Sequence, residues 1–148
     1  MPKPTIEGKW IGHFVYGETY PKEFKSKKIS FVIEIAKDNE LIKGTCIDDL
    51  SREIFKNPAI IEGLFENDFI TFIKRYPALL TEDENNNLVA HFDKPSVNIH
   101  YKGVLTKNLF SRIYFFKGEW EISGSYLDEM GQANYYTFAG KWRMQKSE

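Results

Sequence analysis

Gly140-Lys141-Trp142-Arg143-Met144, close to the C-terminal end of a 148-residue sequence, places a glycine two positions before a tryptophan. In an extended chain residues i and i+2 lie on one face of the sheet, so this glycine and this indole share a side. The spacing recurs at Gly8 and Trp10, Gly63 and Phe65, Tyr101 and Gly103, and Gly118 and Trp120, and Gly12 follows Trp10 at the same parity. A glycine inside a strand weakens it by roughly 0.5–1 kcal/mol relative to alanine, so the repetition needs a reason. Strands curling around a narrow interior have no room for a large side chain at every level. A ring on one strand then needs bare backbone opposite it. The pattern predicts a sheet rolled up on itself.

Outward from these motifs the dominant period is two. Trp10, Phe14 and Tyr16 share one parity over residues 9–16, and Ile29, Phe31, Ile33 and Ile35 do so over residues 29–35. Further strands are expected at 42–48, 59–65, 69–76, 88–92, 97–103, 112–124 and 135–144, the long 112–124 segment bent near Lys117-Gly118. Turn-forming runs such as Lys37-Asp38-Asn39-Glu40, Glu66-Asn67-Asp68 and Asp93-Lys94-Pro95-Ser96 separate them. Only residues 50–56 suit a helical turn. The expected architecture is a single all-β domain over residues 1–148, an up-and-down antiparallel β-barrel of about eight or nine strands with little or no helix.

Composition agrees. A hydrophobic fraction of 42% against 28% charged residues is that of a chain able to bury a core, which excludes wholesale disorder. The 12 Phe, 8 Tyr and 3 Trp favour strands and bury much surface per residue. With 20 basic and 21 acidic side chains the net charge is −1, so the basic surplus of a nucleic-acid binder is missing. The one basic run, Lys22, Lys25, Lys27 and Lys28, reads as a solvated loop. A lone cysteine, Cys46, excludes an intramolecular disulfide. Met1-Pro2-Lys3-Pro4-Thr5 lacks the apolar stretch of a secretory signal, and nowhere do about eighteen apolar residues run together. The expectation is a soluble chain, cytoplasmic, with no membrane partner.

Gly8-Lys9-Trp10 near one end, a shallow meander, and Gly140-Lys141-Trp142-Arg143-Met144 near the other resemble the calycin-type barrels, meaning the avidin-like, lipocalin-like and fatty-acid-binding-like proteins. The resemblance implies an up-and-down barrel, commonly with a small ligand in its cup. It covers most of the chain in spacing, rests on short motifs, and transfers no site residue.

Chemistry is sparse. No phosphate loop, nucleophile-elbow serine or His-Glu-x-x-His helix is present, and no cofactor is implied. His13, His91 and His100 fall on different strands, with His13 and His100 at outward parity. Cys46 and Asp48 share a face with Gly44, but the spacing supports no metal site, and a small buried thiol is the plainer reading. Asp48 and Asp49 point to opposite faces as strand neighbours, so loop capping suits them better than paired acid–base work.

If Trp10, Phe14, Phe72, Trp120, Phe138 and Trp142 point inward, then Tyr16, Lys74, Tyr76 and Tyr101 fall on the same inward registers near strand ends. Tyr16, Lys74, Tyr76, Tyr101 and Trp120 are therefore the candidate ligand-binding residues, with Lys74 at the mouth able to meet an acidic head group. The leading function is binding of a small, mainly apolar ligand in the barrel. A filled barrel serving as an interaction scaffold stands beside it, since an eight-stranded barrel is barely wide enough for its own side chains. In that reading the 77–96 excursion is the contact surface. Ile11, Val15 and the doubly apolar Ile113-Tyr114-Phe115-Phe116 suggest an outer face covered by a second copy. An enzyme without a recognisable motif comes third.

Overall fold

Alternation of the sequence becomes alternation of faces in ten antiparallel strands. These are β1 (Gly8–Tyr16), β2 (Lys28–Asp38), β3 (Leu41–Asp48), β4 (Ala59–Glu66), β5 (Phe69–Arg75), β6 (Leu79–Glu82), β7 (Leu88–His91), β8 (Ile99–Lys107), β9 (Tyr114–Leu127) and β10 (Ala133–Lys146). The structure, a computed structural model, describes residues 2–18, 20, 27–85 and 87–147, and none of these is helical. Lys22 and Lys25 of the basic run lie outside the described residues, whereas Lys27 and Lys28 are exposed.

Eight strands close in the order β1-β10-β9-β8-β5-β4-β3-β2, the up-and-down barrel that the calycin-type resemblance implies. The expected eight or nine strands resolve as these eight plus a separate hairpin, β6 with β7, inserted between β5 and β8. Each strand of the hairpin has four residues, too few to cross the barrel wall. Pro77 and Pro95 bracket the excursion, and a residue without an N–H cannot continue the ladder. β9 runs unbroken through Lys117-Gly118, in place of the expected bend, because both its neighbours stay paired there. Its start shifts to Tyr114, since Arg112 takes a left-handed conformation and the Asn108 carboxamide accepts from the Phe110 and Ser111 N–H groups. At the β4–β5 reversal both Asn67 and Asp68 have positive φ, the backbone of a tight hairpin turn.

The glycines stand where the rings need them. Gly140 pairs with Trp120, Gly118 with Trp142, Gly63 with Phe72 and Gly12 with Phe31. A Cβ at Gly140 would sit 2.6 Å from the Trp120 indole and closer still to the Val15 carbonyl oxygen. The indole lies across that bare position and its Nε1 donates to Val15 O at 3.0 Å, two strands away. Trp142 crosses Gly118 in the other direction and donates to Lys102 O and Glu119 O, both at 3.1 Å. Trp10 closes one end of the barrel by donating to Ile6 O at 2.8 Å.

From that closed end Trp10, Phe116, Trp142, Phe72 and Tyr101 follow one another, successive ring centroids 5.0, 6.4, 5.8 and 4.7 Å apart. This half of the interior is solid. Phe116 belongs to it and is fully buried, so the expected outer apolar face at Ile113-Tyr114-Phe115-Phe116 is corrected there. Phe115 does face outward, but the Arg143 guanidinium lies 3.8 Å over its ring and leaves it 7% exposed. Ile11 and Ile113 remain exposed.

Candidate ligand-binding cup

The opposite end of the barrel is open. β1 leaves β10 at the pair Tyr16–Gly140, and β8 leaves β9 at His100–Glu121. Beyond those pairs the Gly17 N–H still donates to Ala139 O at 2.9 Å, and β9 and β10 run on paired with each other as a two-stranded tongue carrying Ile122 opposite Phe138. The β6–β7 hairpin contributes Leu80, Glu82 and Leu88 to the same space. Between the tongue and the hairpin lies a cavity of about 440 Å³.

Its wall is built by parity. Phe14 and Tyr16 come from β1, Ile99 and Tyr101 from β8, and Trp120 from β9, with Tyr20, Leu50, Tyr76 and Val97 from the connections. Trp120 is the hub. Its ring centroid lies 5.9 Å from Phe14, 6.0 Å from Tyr16 and 5.9 Å from Tyr20, and Tyr20 lies 4.6 Å from Tyr16 and 4.8 Å from Phe138. Burial, followed by the Glu82 and Asp48 carboxylates, pushes the Tyr16 hydroxyl up to about 12, so it stays protonated at neutral pH. Burial also raises the Tyr20 and Tyr101 hydroxyls.

Beneath the floor is a charged pair. Lys74 Nζ lies 2.5 Å from Asp48 Oδ2, the two residues 1% and 0% exposed. The Tyr76 hydroxyl donates to the same carboxylate oxygen at 2.6 Å. Asp48 Oδ1 accepts from the Leu50 N–H at 3.1 Å, and from the Ser51 N–H and hydroxyl at 2.9 Å each. Burial alone would raise the Asp48 pKa, but the Lys74 ammonium and the donated hydrogen bonds outweigh it and hold the carboxyl below its ordinary range. Burial likewise works against the ammonium, yet the surrounding Cys46, Tyr101, Tyr76 and Asp48 more than offset it and hold Lys74 well above the usual lysine value. Of these four only Asp48 is charged at neutral pH, since burial drives the Cys46 thiol up to about 11. The ammonium also sits 5.0 Å from the Phe14 ring centroid, 4.7 Å from Tyr76 and 6.0 Å from Tyr101.

Of the five candidate residues, Tyr16, Tyr76, Tyr101 and Trp120 line the cavity together. Lys74 does not. It lies below the floor instead of at the mouth, and its charge is already met by Asp48, so the expected meeting with an acidic head group is corrected. Asp48 caps the Leu50–Ser51 turn, as loop capping required, while Asp49 faces out to Arg52 at 3.3 Å. No histidine joins Asp48: His91 bonds Thr81 at 2.8 Å on the hairpin, and His13 and His100 are on the outer wall. A carboxylate held ionised in this way has no proton to transfer near neutral pH. Among the described residues no three His, Cys, Asp or Glu side chains gather as a metal site. Sequence reasoning missed Tyr20, Leu80, Glu82 and Leu88. The available signal was the apolar pair Leu79-Leu80 and Leu88 flanking a polar tip, residues with no expected strand to cover them.

No protein-family model and no curated protein matches the chain. Among solved structures, the crystal structure of rhizavidin is similar at 9% sequence identity and a TM-score of 0.48, covering 93% of this chain and 84% of that one.

Proposed function

We propose that the protein binds a small, mainly apolar molecule in the cup at the open end of its barrel. One observation carries this reading: a cavity of about 440 Å³ walled by aromatic and aliphatic side chains, above a run of buried rings that reaches the closed end of the barrel. That volume falls within the roughly 300–1,000 Å³ usual for small-molecule sites, and the apolar wall with a few hydroxyl groups matches their usual chemistry. Each methylene that such a ligand buries contributes about 0.8 kcal/mol.

Thermal unfolding against a panel of apolar compounds tests it. A ligand at a hundred times its Kd stabilises the folded state by about 2.7 kcal/mol. In a chain of this length that raises Tm by about 5–10 °C. Binding should also change the indole emission, and Trp120→Phe should remove that change, because Trp10 and Trp142 lie outside the cup. A panel that leaves Tm unmoved ends this reading. A second reading, self-association, is favoured by the outer-wall alignment of Ile11 with Val32 and of Val32 with Ile47, which leaves Ile11 and Ile47 exposed. A sedimentation mass equal to the monomer at micromolar concentration removes it.

A further inference from the structure

We infer that the cup selects a cationic ligand, an amine or alkylammonium on an apolar body, over a neutral or acidic molecule of the same shape. This rests on the binding reading above and adds the sign of the ligand's charge.

Among the described residues, the lining of the cavity contains no lysine, arginine or histidine, and Glu82 is its one carboxylate. The buried ammonium nearby, that of Lys74, is consumed by Asp48 and by the hydroxyl-bearing rings around it. An acidic ligand would therefore give up water without meeting a cation among those lining residues, and an unpaired charge is costly to desolvate. For a cation the balance reverses. Tyr16, Tyr20, Trp120 and Phe138 crowd together at centroid spacings of 4.6 to 6.0 Å and present π systems whose negative faces attract positive charge, the indole most strongly. The protein already uses this chemistry from below, where the Lys74 ammonium stands 4.7 to 6.0 Å from three other rings of the cup wall, Phe14, Tyr76 and Tyr101. Glu82 is exposed on the roof strand, so an ammonium beside it keeps part of its hydration while the apolar body descends among the rings. After burial, its carboxylate is among the causes that raise the Tyr16 and Tyr20 hydroxyls.

Three probes with one phenylbutyl body decide it: 4-phenylbutylamine, 4-phenylbutan-1-ol and 4-phenylbutanoate. Each is titrated against the intact protein at pH 7 and low salt, with indole emission and calorimetry as readouts. The amine should bind about tenfold tighter than the alcohol, and the acid weakest. Salt should weaken the amine and leave the alcohol unmoved. Glu82→Gln should cut the amine-to-alcohol ratio by about threefold to fivefold. An alcohol or an acid that binds as tightly as the amine overturns the cationic preference while the cup itself stands. An unchanged ratio in E82Q overturns the part given to Glu82. Failure of all three probes to bind overturns this inference and the binding reading together.

Discussion

Removing the ammonium beneath the cup should unfold the protein far more easily than its position at a strand end suggests. Lys74→Met keeps the length of the side chain and leaves the Asp48 carboxylate fully buried, still accepting from Leu50, Ser51 and Tyr76 but facing no cation. Breaking a buried pair in this way costs about 3–5 kcal/mol. In a chain of this length that lowers Tm by about 10 °C, or the urea midpoint by about 2 M. Asp48→Asn alone should cost about 3 kcal/mol, because the ammonium then faces an amide N–H₂. In the double variant the carboxamide that replaces the Asp48 carboxylate can accept from the Leu50–Ser51 turn and meet the Tyr76 hydroxyl, so the two losses should not add. The double should recover most of the deficit. Acidity supplies a second axis. In the parent, Asp48 titrates below its ordinary range, so its contribution is present above that range and fades as pH falls through the depressed value. Lys74 titrates above its ordinary range, so its contribution is complete below that range and fades as pH rises through the elevated value. Stability should be flat between about pH 4 and 10 as far as this pair decides it. In K74M the stranded carboxyl is raised instead, and the deficit should shrink as pH falls toward 4. Urea unfolding of all four proteins across that range measures the cycle. Single losses below about 1 kcal/mol that simply add in the double would show that the two charges do not meet in a dry interior.

Gly140→Ala should cost about 3 kcal/mol, because the added methyl overlaps the Val15 carbonyl oxygen and strands β1 and β10 must part to admit it. Gly131→Ala, with nothing within 4 Å of its Cβ and a φ of 78°, supplies the control and should lose only about 1 kcal/mol through backbone strain. Equal melting temperatures for the two variants would remove the packing role given to the glycine. Replacing residues 80–90 with a short Gly-Ser link should leave the barrel's melting temperature within about 2 °C, since among the described residues no ladder joins the hairpin to the barrel. The same change should weaken any cup ligand about tenfold by removing Leu80 and Leu88, and calorimetry on the shortened chain measures it.

What could be read from the sequence was local or governed by parity. Trp120 and Gly140 are far apart in the chain, yet each carries its own half of the pattern, so the rolled sheet was legible without knowing who faces whom. Parity likewise turned Tyr16, Tyr76, Tyr101 and Trp120 inward, where the structure has them. It also turned Lys74 and Asp48 inward, and here a signal went unused. Two opposite charges at inward registers near strand ends have little choice but each other, because neither can be buried alone. Parity states a face but not a height, and Asp48 meets Lys74 two strands away only through the stagger of β3, β4 and β5.

Height also decides whether the barrel is hollow, and composition could not supply it. The same kinds of ring fill the lower half and wall the upper one. Strand length makes the difference. β9 and β10 have fourteen residues each and β5 has seven, so one side of the wall rises well past the other. Were the hairpin absent, Ile122 and Phe138 on the taller side would face water across the low rim. The 77–96 excursion leaves from the short strand and folds over the space opposite the tongue, bringing Leu80 and Leu88 to it. The cup is thus the gap between unequal walls, and its polar tip sits on the piece that roofs it. That arrangement puts Glu82, read from sequence as part of an exposed loop, beside the unfilled part of the interior.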